Sequence, residues 1–207
     1  MMRTLVSSTI CVLGLLCVVA AGRADDGFRP LFDGKTLDGW DGDAELWSVE
    51  DGTIVGTTDE KKLDHNSFLN TTDTFDNFVL RLKFKLRNHN SGVQFRSKLY
   101  DDHVVKGYQA DIADERYMGI LYEEGGRGIL ADVDPEQVAP HFKPDEWNEY
   151  VITADGGHIT EQLNGYTTVD YTETSDEGAK DGIIALQLHV GPKMRIWFKD
   201  VEIKELD

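Results

Sequence analysis

The sequence predicts an all-β domain, a sandwich or jelly roll of two antiparallel sheets with at most a short helix. Three observations predict it: many short segments alternate apolar and polar residues, turn signals recur at close intervals, and helical periodicity is scarce. The clearest alternation covers residues 77–87, where five apolar side chains occupy every second position. Such a period of two places one face of a strand on a core and the other in water.

Residues 1–24 are predicted to be a secretory signal peptide. Arg3 supplies the early positive charge, residues 10–21 form an apolar run, and Gly22-Arg23-Ala24 offers small residues around a cleavage point. Both cysteines lie in this segment, so the remaining chain must rely on a hydrophobic core rather than on disulfides. We expect an exported protein, periplasmic or secreted, with residues 25–207 forming one domain and no membrane attachment after signal removal.

The charge of the chain argues against a nucleic-acid partner. The sequence has 21 Lys and Arg against 38 Asp and Glu, a formal net charge of -17. Binding to a phosphate backbone needs clustered basic residues. The acidic surplus fits the solubility of an exported protein, and it also supplies carboxylates that could bind hard cations.

Taken in order, the segments read as strands joined by tight turns. Residues 28–40 and 46–56 are short apolar stretches interrupted by Asp-Gly pairs, which are turn signals. Residues 77–87 and 93–97 are separated by a short polar turn, which predicts an antiparallel hairpin. Asp134 followed by proline predicts the start of a short helix. Thereafter Asp-Gly-Gly and Asn-Gly turns predict a meander over residues 149–171, and two further strands cover residues 182–190 and 193–206.

On several of these strands, the face that would normally carry ordinary solvent-exposed residues has side chains that could bind a ligand or transfer a proton. If the strands are neighbours, the side chains should converge on one surface. The set comprises Gln94 and Arg96, Gln109 and Asp111, Tyr122 and Glu123, and Gln187 and His189.

The chain resembles the 3-keto-disaccharide hydrolase domain family, whose fold is similar to that of concanavalin A-like lectins and glucanases. The residues that carry the resemblance follow one another in order over nearly the whole chain after the signal. They are LFDGKTLDGW (31–40), WSVEDGTIVG (47–56), NSGVQFRS (90–97), GYQADI (107–112), GILYEEGGRG (119–128), WNEYVI (147–152), LNG (163–165), IALQLH (184–189) and WFKDVEIKEL (197–206).

One motif departs from the family. Many members look like GYEvQI where this chain reads GYQADI, so Gln109 stands for a glutamate and Asp111 for a glutamine. The strand face keeps one acid and one amide, with the carboxylate moved by one position along that face.

The resemblance implies a concanavalin A-like jelly roll that cleaves the glycosidic bond of 3-keto sugars. A ketone at C3 acidifies the C2 hydrogen, so a modest base can remove it while the C1 substituent departs, and hydration of the enone completes a net hydrolysis. A sugar 3-oxidoreductase would supply the ketone. The rival hypothesis is a non-catalytic carbohydrate-binding module on the same scaffold, because a fold alone does not fix activity.

Candidate roles follow from the residue types. His189 is the preferred base or metal ligand, since imidazole titrates near neutrality. Asp111 and Glu123 are candidates for acid, base or, together with His189, ligands of a divalent cation; no organic cofactor is expected. Arg96 could bind the keto or enolate oxygen, or form an ion pair with Asp111.

The other candidate residues would bind the sugar. The hydrogen-bonding ones are Gln94, Gln109, Tyr122 and Gln187, which would orient hydroxyl groups. Trp197 could stack on a sugar ring or equally pack in the core. The remaining histidines, including His89, are assigned no role.

Overall fold

The computed structural model describes residues 26–100, 104–113 and 116–207, and the predicted signal peptide lies outside these ranges. Within them no helix is long and apolar enough to cross a membrane. The elements in order are β1 (Arg29–Pro30), β2 (Trp40–Asp41), β3 (Trp47–Glu50), β4 (Thr53–Thr57), β5 (Ser67–Thr71), β6 (Phe78–Arg87), β7 (Asn90–Leu99), β8 (Val105–Ala113), β9 (Leu121–Glu124), β10 (Gly128–Ala131), α1 (Pro135–Val138), β11 (Asn148–Asp155), β12 (His158–Leu163), β13 (Tyr166–Thr172), β14 (Ile183–Leu188) and β15 (Arg195–Glu205).

The described strands form two antiparallel sheets, which confirms the predicted all-β sandwich. Sheet A has the order β13-β12-β11-β6-β15-β4-β3, with β1 also paired to β15. Sheet B has the order β10-β9-β8-β7-β14-β5-β2. The short helix α1 begins where the sequence predicted, because the Asp134 carboxylate accepts a hydrogen bond from the Glu136 amide and proline occupies the first helical turn.

The core lies between the sheets and is built by alternation. On β6 every second side chain from Phe78 to Leu86 is buried, whereas Val79 and the basic residues Arg81, Lys83 and Lys85 are half-buried on the outer face of sheet A. Sheet B contributes its own apolar face, and Phe95 of β7 meets Phe78 edge-on at 6.2 Å between ring centroids. The polar positions of sheet B therefore lie on its other face, away from the core.

The hairpin predicted between β6 and β7 is wrong. Strand β6 pairs with β11 and β15 in sheet A, while β7 pairs with β8 and β14 in sheet B. The turn between them has positive φ at Asn88 (48°) and His89 (72°), and it carries the chain from one sheet to the other. Alternation and a short turn do not distinguish a hairpin from such a corner.

Other local predictions are confirmed. β11, β12 and β13 form an antiparallel meander, and the turn between the last two has positive φ at Asn164 and Gly165, as the tight hairpin turn of an Asn-Gly pair requires. β7, β8 and β9 are adjacent, with Gln94 opposite Gln109 and Gln109 opposite Tyr122. This register brings their polar side chains to one face of sheet B.

Candidate functional site

A cleft of about 300 Å³ opens on the outer face of sheet B. Its polar lining comprises Asn66, Asn90, Gln109, Asp111, Glu124 and His189. The floor is shaped by Gly92, which lies opposite Asp111 in the β7–β8 register. A Cβ atom at Gly92 would lie 2.4 Å from Cδ of Gln109, so only glycine leaves room for that amide to lie across the neighbouring strand.

Asp111 is the central acidic group of the cleft and is 5% exposed. Its Oδ1 accepts a hydrogen bond from Nδ2 of Asn90 at 2.6 Å, and its Oδ2 accepts one from Nε2 of Gln109 at 3.1 Å. Burial raises the pKa of Asp111 to about 7; the nearby Glu124 acts in the same direction, and the two amide hydrogen bonds oppose both. Both protonation states of this carboxyl are therefore populated near neutral pH.

Two buried amides support these groups from below the cleft. Nε2 of Gln94 donates to Oε1 of Gln109 at 2.8 Å, which orients the Gln109 amide so that its NH₂ faces Asp111. Gln187 donates to Oε2 of Glu124 at 3.4 Å, and Asn66 donates to Oε1 at 3.4 Å. Gln94 and Gln187 are both 0% exposed. They position the lining groups rather than contact a ligand directly.

Glu124 is the second carboxyl of the cleft. Burial raises its pKa, while its hydrogen bonds to Asn66 and Gln187 oppose the shift. The Asn66 amide also accepts a hydrogen bond from the Val190 N–H at 2.9 Å, which connects the segment before β5 to the segment after β14. Glu124, which is half-buried, therefore shares with Asp111 a pKa raised by burial and neutral amide partners.

His189 lies at the side of the cleft, with its Nδ1 2.7 Å from the carbonyl oxygen of Val190. A carbonyl can only accept, so this contact assigns the ring proton to Nδ1 and leaves Nε2 as the basic atom of the neutral ring. Burial lowers the pKa of His189, and His89 lowers it further. The ring is therefore neutral at pH 7 and can take up a proton.

His89 is a site residue that the sequence reasoning missed. Its Nε2 lies 3.2 Å from Nδ1 of His189 and 3.2 Å from the carbonyl oxygen of Val190. Gly191 makes room for it, since a Cβ atom there would lie 2.6 Å from the same nitrogen. Because His89 lies in the corner between β6 and β7, strand alternation could not place it.

Glu123 does not enter the cleft, so the prediction that it shares a face with Asp111 is wrong. Its carboxylate accepts hydrogen bonds from Arg127 at 2.7, 2.8 and 2.9 Å, and these lower the pKa of Glu123. Consecutive residues of a strand point to opposite faces, so Tyr122 and Glu124 share the cleft while Glu123 faces away. Glu124 takes the place that the sequence reasoning gave to its neighbour.

Arg96 is also directed elsewhere. Its φ of 45° falls at the irregularity in the β7–β8 register and turns the side chain towards sheet A. There the guanidinium donates to the carbonyl oxygens of Asp76 and Gly156 at 2.7 and 2.6 Å, and to Oδ1 of Asn77 at 2.9 Å. These partners replace the ion pair with Asp111 that the sequence suggested.

Trp197 lies in the other sheet. It belongs to β15 of sheet A and is half-buried beneath two cations, with Lys85 Nζ 4.4 Å and Arg195 Cζ 5.1 Å from its ring centroid. Trp197 therefore neither lines this cleft nor packs in the core, the two alternatives that the sequence left open, because sheet membership cannot be read from alternation alone.

The predicted cation finds no ligand set here. Among the residues that the structure describes, no group of three or more His, Asp or Glu side chains is arranged to hold a metal ion. Glu123 is taken up by Arg127, and both oxygens of Asp111 accept amide hydrogen bonds. A divalent cation therefore stays a prediction, and no chemical step below depends on one.

Comparison with known proteins assigns the class and then the family. A two-sheet jelly roll with acids, amides and aromatic side chains in a cleft on one sheet is typical of carbohydrate-active proteins. Residues 27–204 match the 3-keto-alpha-glucoside-1,2-lyase-like domain, and the chain belongs to this family, which confirms the resemblance stated above. No curated protein matches the chain.

Three solved structures show the same architecture. A protein described as a putative glycosyl hydrolase from Parabacteroides distasonis is 26% identical, with a TM-score of 0.66 over 86% of this chain and 99% of that one. The carbohydrate-binding module CBM66 from Bacillus subtilis is 16% identical, with a TM-score of 0.62 over 81% and 96% of the two chains. A Bacillus licheniformis beta-glucanase is 10% identical, with a TM-score of 0.60 over 86% and 97%. The last two share the fold alone, and they confirm the concanavalin A-like jelly roll.

Proposed function

We propose that this protein is an exported lyase or hydrolase that cleaves the glycosidic bond of 3-keto sugars. The observation that carries the proposal is that one cleft is lined both by the buried Asp111 carboxyl, whose pKa is about 7, and by the neutral ring of His189. Strongly perturbed titratable groups in a cleft are the usual mark of proton-transfer chemistry. Membership of the 3-keto-alpha-glucoside-1,2-lyase-like family supports the choice of substrate.

In the proposed reaction His189 is the base. Its Nε2 removes the C2 proton, which the C3 ketone has made acidic, and the electron pair of the C2–H bond delocalises onto the C3 oxygen as an enolate. When the enolate collapses, the C3 carbonyl re-forms, a C1–C2 double bond forms and the C1–O bond breaks. Addition of water across the new double bond then gives the free 3-keto sugar, so the net reaction consumes one water.

Asp111 is the proton donor to the departing oxygen. Because burial raises its pKa to about 7, a large fraction of the carboxyl is protonated at neutral pH and can protonate the leaving alkoxide. Tyr122 and the amide of Asn90, also in the cleft, supply neutral donors to the sugar oxygens. Burial raises the pKa of Tyr122, so its hydroxyl keeps its proton.

This chemistry requires a partner reaction. An oxidoreductase that converts the C3 hydroxyl of a glycoside into a ketone must supply the substrate, since without the ketone the C2 hydrogen is not acidic. The same requirement provides a control, because the unoxidised glycoside should bind in the cleft but not react.

The proposal is tested by incubating the purified protein with a 3-keto-disaccharide and with its unoxidised parent, each with and without a chelator. We expect sugar release from the 3-keto substrate only. The chelator arms establish whether a divalent cation takes part. Absence of turnover under every metal condition, together with retained glycan binding, would reject the enzyme and favour the carbohydrate-binding module.

A further inference from the structure

The lining of the cleft is chemically mixed. It includes the polar side chains of Asn66, Glu124 and His189 and three apolar residues, Tyr117, Ile120 and Ile129, which we call the apolar wall. Ile120 is 1% exposed, so Tyr117 and Ile129 present nearly all of its surface. Among the residues that the structure describes, four large hydrophobic side chains are exposed, and two of them, Tyr117 (49%) and Ile129 (42%), belong to this apolar wall. Exposed apolar area that is concentrated at a site usually marks a contact surface.

The apolar wall is held in place. Ile129 of β10 pairs with Tyr122 of β9 in the sheet register. The ring of Tyr117 lies against the Arg116 guanidinium, with 5.6 Å from Cζ to the ring centroid. Arg116 is itself bound by both carboxylate oxygens of Asp132, at 2.9 and 2.5 Å. An aromatic ring supported in this way loses little freedom when a ligand packs on it.

The charges that line the cleft determine which leaving groups could bind against the apolar wall. The cleft is lined by the carboxyl groups of Asp111 and Glu124, and none of its lining residues is Lys or Arg. A leaving group that carries phosphate, sulfate or carboxylate would meet these carboxyl groups, and the cation beside the wall, Arg116, is already bound by Asp132. An uncharged leaving group with a flat apolar face matches the exposed surface of the Tyr117 ring and of Ile129.

We propose that the wall formed by Tyr117, Ile120 and Ile129 is the aglycone subsite, and that the preferred substrates are aryl 3-keto glycosides whose leaving group is an uncharged phenol. This inference rests on the proposed function. The sugar ring occupies the Asp111 and His189 end of the cleft, and the phenol ring lies against Tyr117. On elimination the bond from C1 to the phenolic oxygen breaks, and that oxygen takes its proton from the Asp111 carboxyl.

The test compares three uncharged 3-keto glucosides with phenyl, methyl and glucosyl aglycones. For the wild-type protein we expect kcat/KM to be highest with the phenyl compound. Tyr117→Ala should lower kcat/KM for this compound about five- to tenfold, the effect of losing one aromatic stack, and change the value for the methyl compound less than twofold. Tyr117→Phe keeps the ring and should behave like the wild type.

The chain offers a matched control in Tyr100. This tyrosine is 51% exposed and also lies beside a basic side chain, with Lys106 Nζ 5.0 Å from its ring centroid, but it does not line the cleft. Tyr100→Ala should leave all three kcat/KM values unchanged. Equal losses for all three substrates in Tyr117→Ala, or no loss with the phenyl compound, would overturn the aglycone subsite.

Binding separates this inference from the proposed function. Calorimetric titration with the unoxidised phenyl and methyl glucosides needs no turnover. If no 3-keto substrate reacts, the proposed function fails, while tighter binding of the phenyl compound that Tyr117→Ala removes would still support the subsite. Equal affinities of the wild type for the two glucosides would contradict it.

Discussion

Two groups of carboxylates, one around Arg127 and one in the cleft, have opposite electrostatic settings. Glu123 and Glu173 both bind Arg127, at 2.8 and 2.7 Å, and this cation lowers the pKa of each, that of Glu173 to about 2. Asp111 and Glu124 have amide partners instead, and burial raises the pKa of both. The same chemical group is thus structural where a cation compensates it, and poised for proton transfer where none does.

A raised pKa alone does not mark a site, as Glu161 shows. It is 0% exposed on β12, burial raises its pKa well above the usual value, and neither carboxyl oxygen has a hydrogen-bond partner among the described residues. Its side chain, however, faces the core between the sheets, on the same face of β12 as Ile159 and Leu163. Access from a cleft, as well as the electrostatic setting, distinguishes Asp111 from Glu161.

The largest difference in kcat should appear when one carboxyl of each group is replaced by its amide. Asp111→Asn removes the proton donor but keeps the shape of the side chain, so kcat for a 3-keto glucoside should fall by roughly 10²–10⁴. Glu123→Gln removes one of the two negative charges that compensate Arg127 and should lower the thermal midpoint while leaving kcat within about threefold of the wild type. Full activity of Asp111→Asn would show that Asp111 is not the proton donor and would contradict the difference between the two groups.

The two groups should also give opposite pH dependences of stability. The pKa of Asp111 is raised by folding, from 3.8 to about 7, so its contribution is complete below about pH 4 and is lost as the pH rises through 7. Between these two pH values the free energy of unfolding should fall by roughly 4 kcal/mol at most because of Asp111. The pKa of Glu173 is lowered, from 4.5 to about 2, so its contribution is present above about pH 4.5 and is lost as the pH falls towards 2.

Chemical denaturation between pH 3 and pH 8 checks this prediction. Asp111→Asn should flatten the decline of the free energy of unfolding above pH 4, and Glu173→Gln should flatten the decline on the acid side. Identical pH profiles for the wild type and both variants would show that the two settings do not differ as described.

A smaller effect is expected at the histidine pair. His89 lowers the pKa of His189 in addition to the effect of burial, so His89→Gln should raise it. The base must be unprotonated, so the acidic limb of the kcat/KM profile should move to higher pH, while the alkaline limb, which follows deprotonation of Asp111 near pH 7, should stay in place. A parallel loss at every pH would instead indicate that His89 only supports the local structure.

The smallest effect is expected at Trp197, on the outer face of sheet A. Trp197→Ala should leave kcat, KM and glycan affinity unchanged, because its ring contacts Lys85 and Arg195 rather than the cleft. A loss of affinity measured by calorimetry would show that the sugar binds to sheet A and would contradict the proposed cleft on sheet B.

The sequence predicted the strands well because alternation is a local property, and it predicted the site only where alternation and sheet membership agree. Asp111 and His189 both line the cleft, and Gln94, Gln109, Tyr122 and Gln187 line or support it. The prediction for Arg96 is wrong because this residue has a positive φ at an irregularity of the strand, which the sequence does not reveal. By contrast, the strand period could have shown that Glu124, and not Glu123, lies on the same face as Tyr122. Asn66 and His89 lie in segments between strands, where no periodicity applies.

The most direct test of the central claim follows the C2 hydrogen in the cleft that contains Asp111 and His189. A 3-keto glucoside deuterated at C2 should turn over more slowly than the unlabelled compound, and its hydrated product should carry solvent hydrogen at C2. Equal rates with full retention of the label would show that the bond is cleaved without proton abstraction at C2, and would contradict the mechanism.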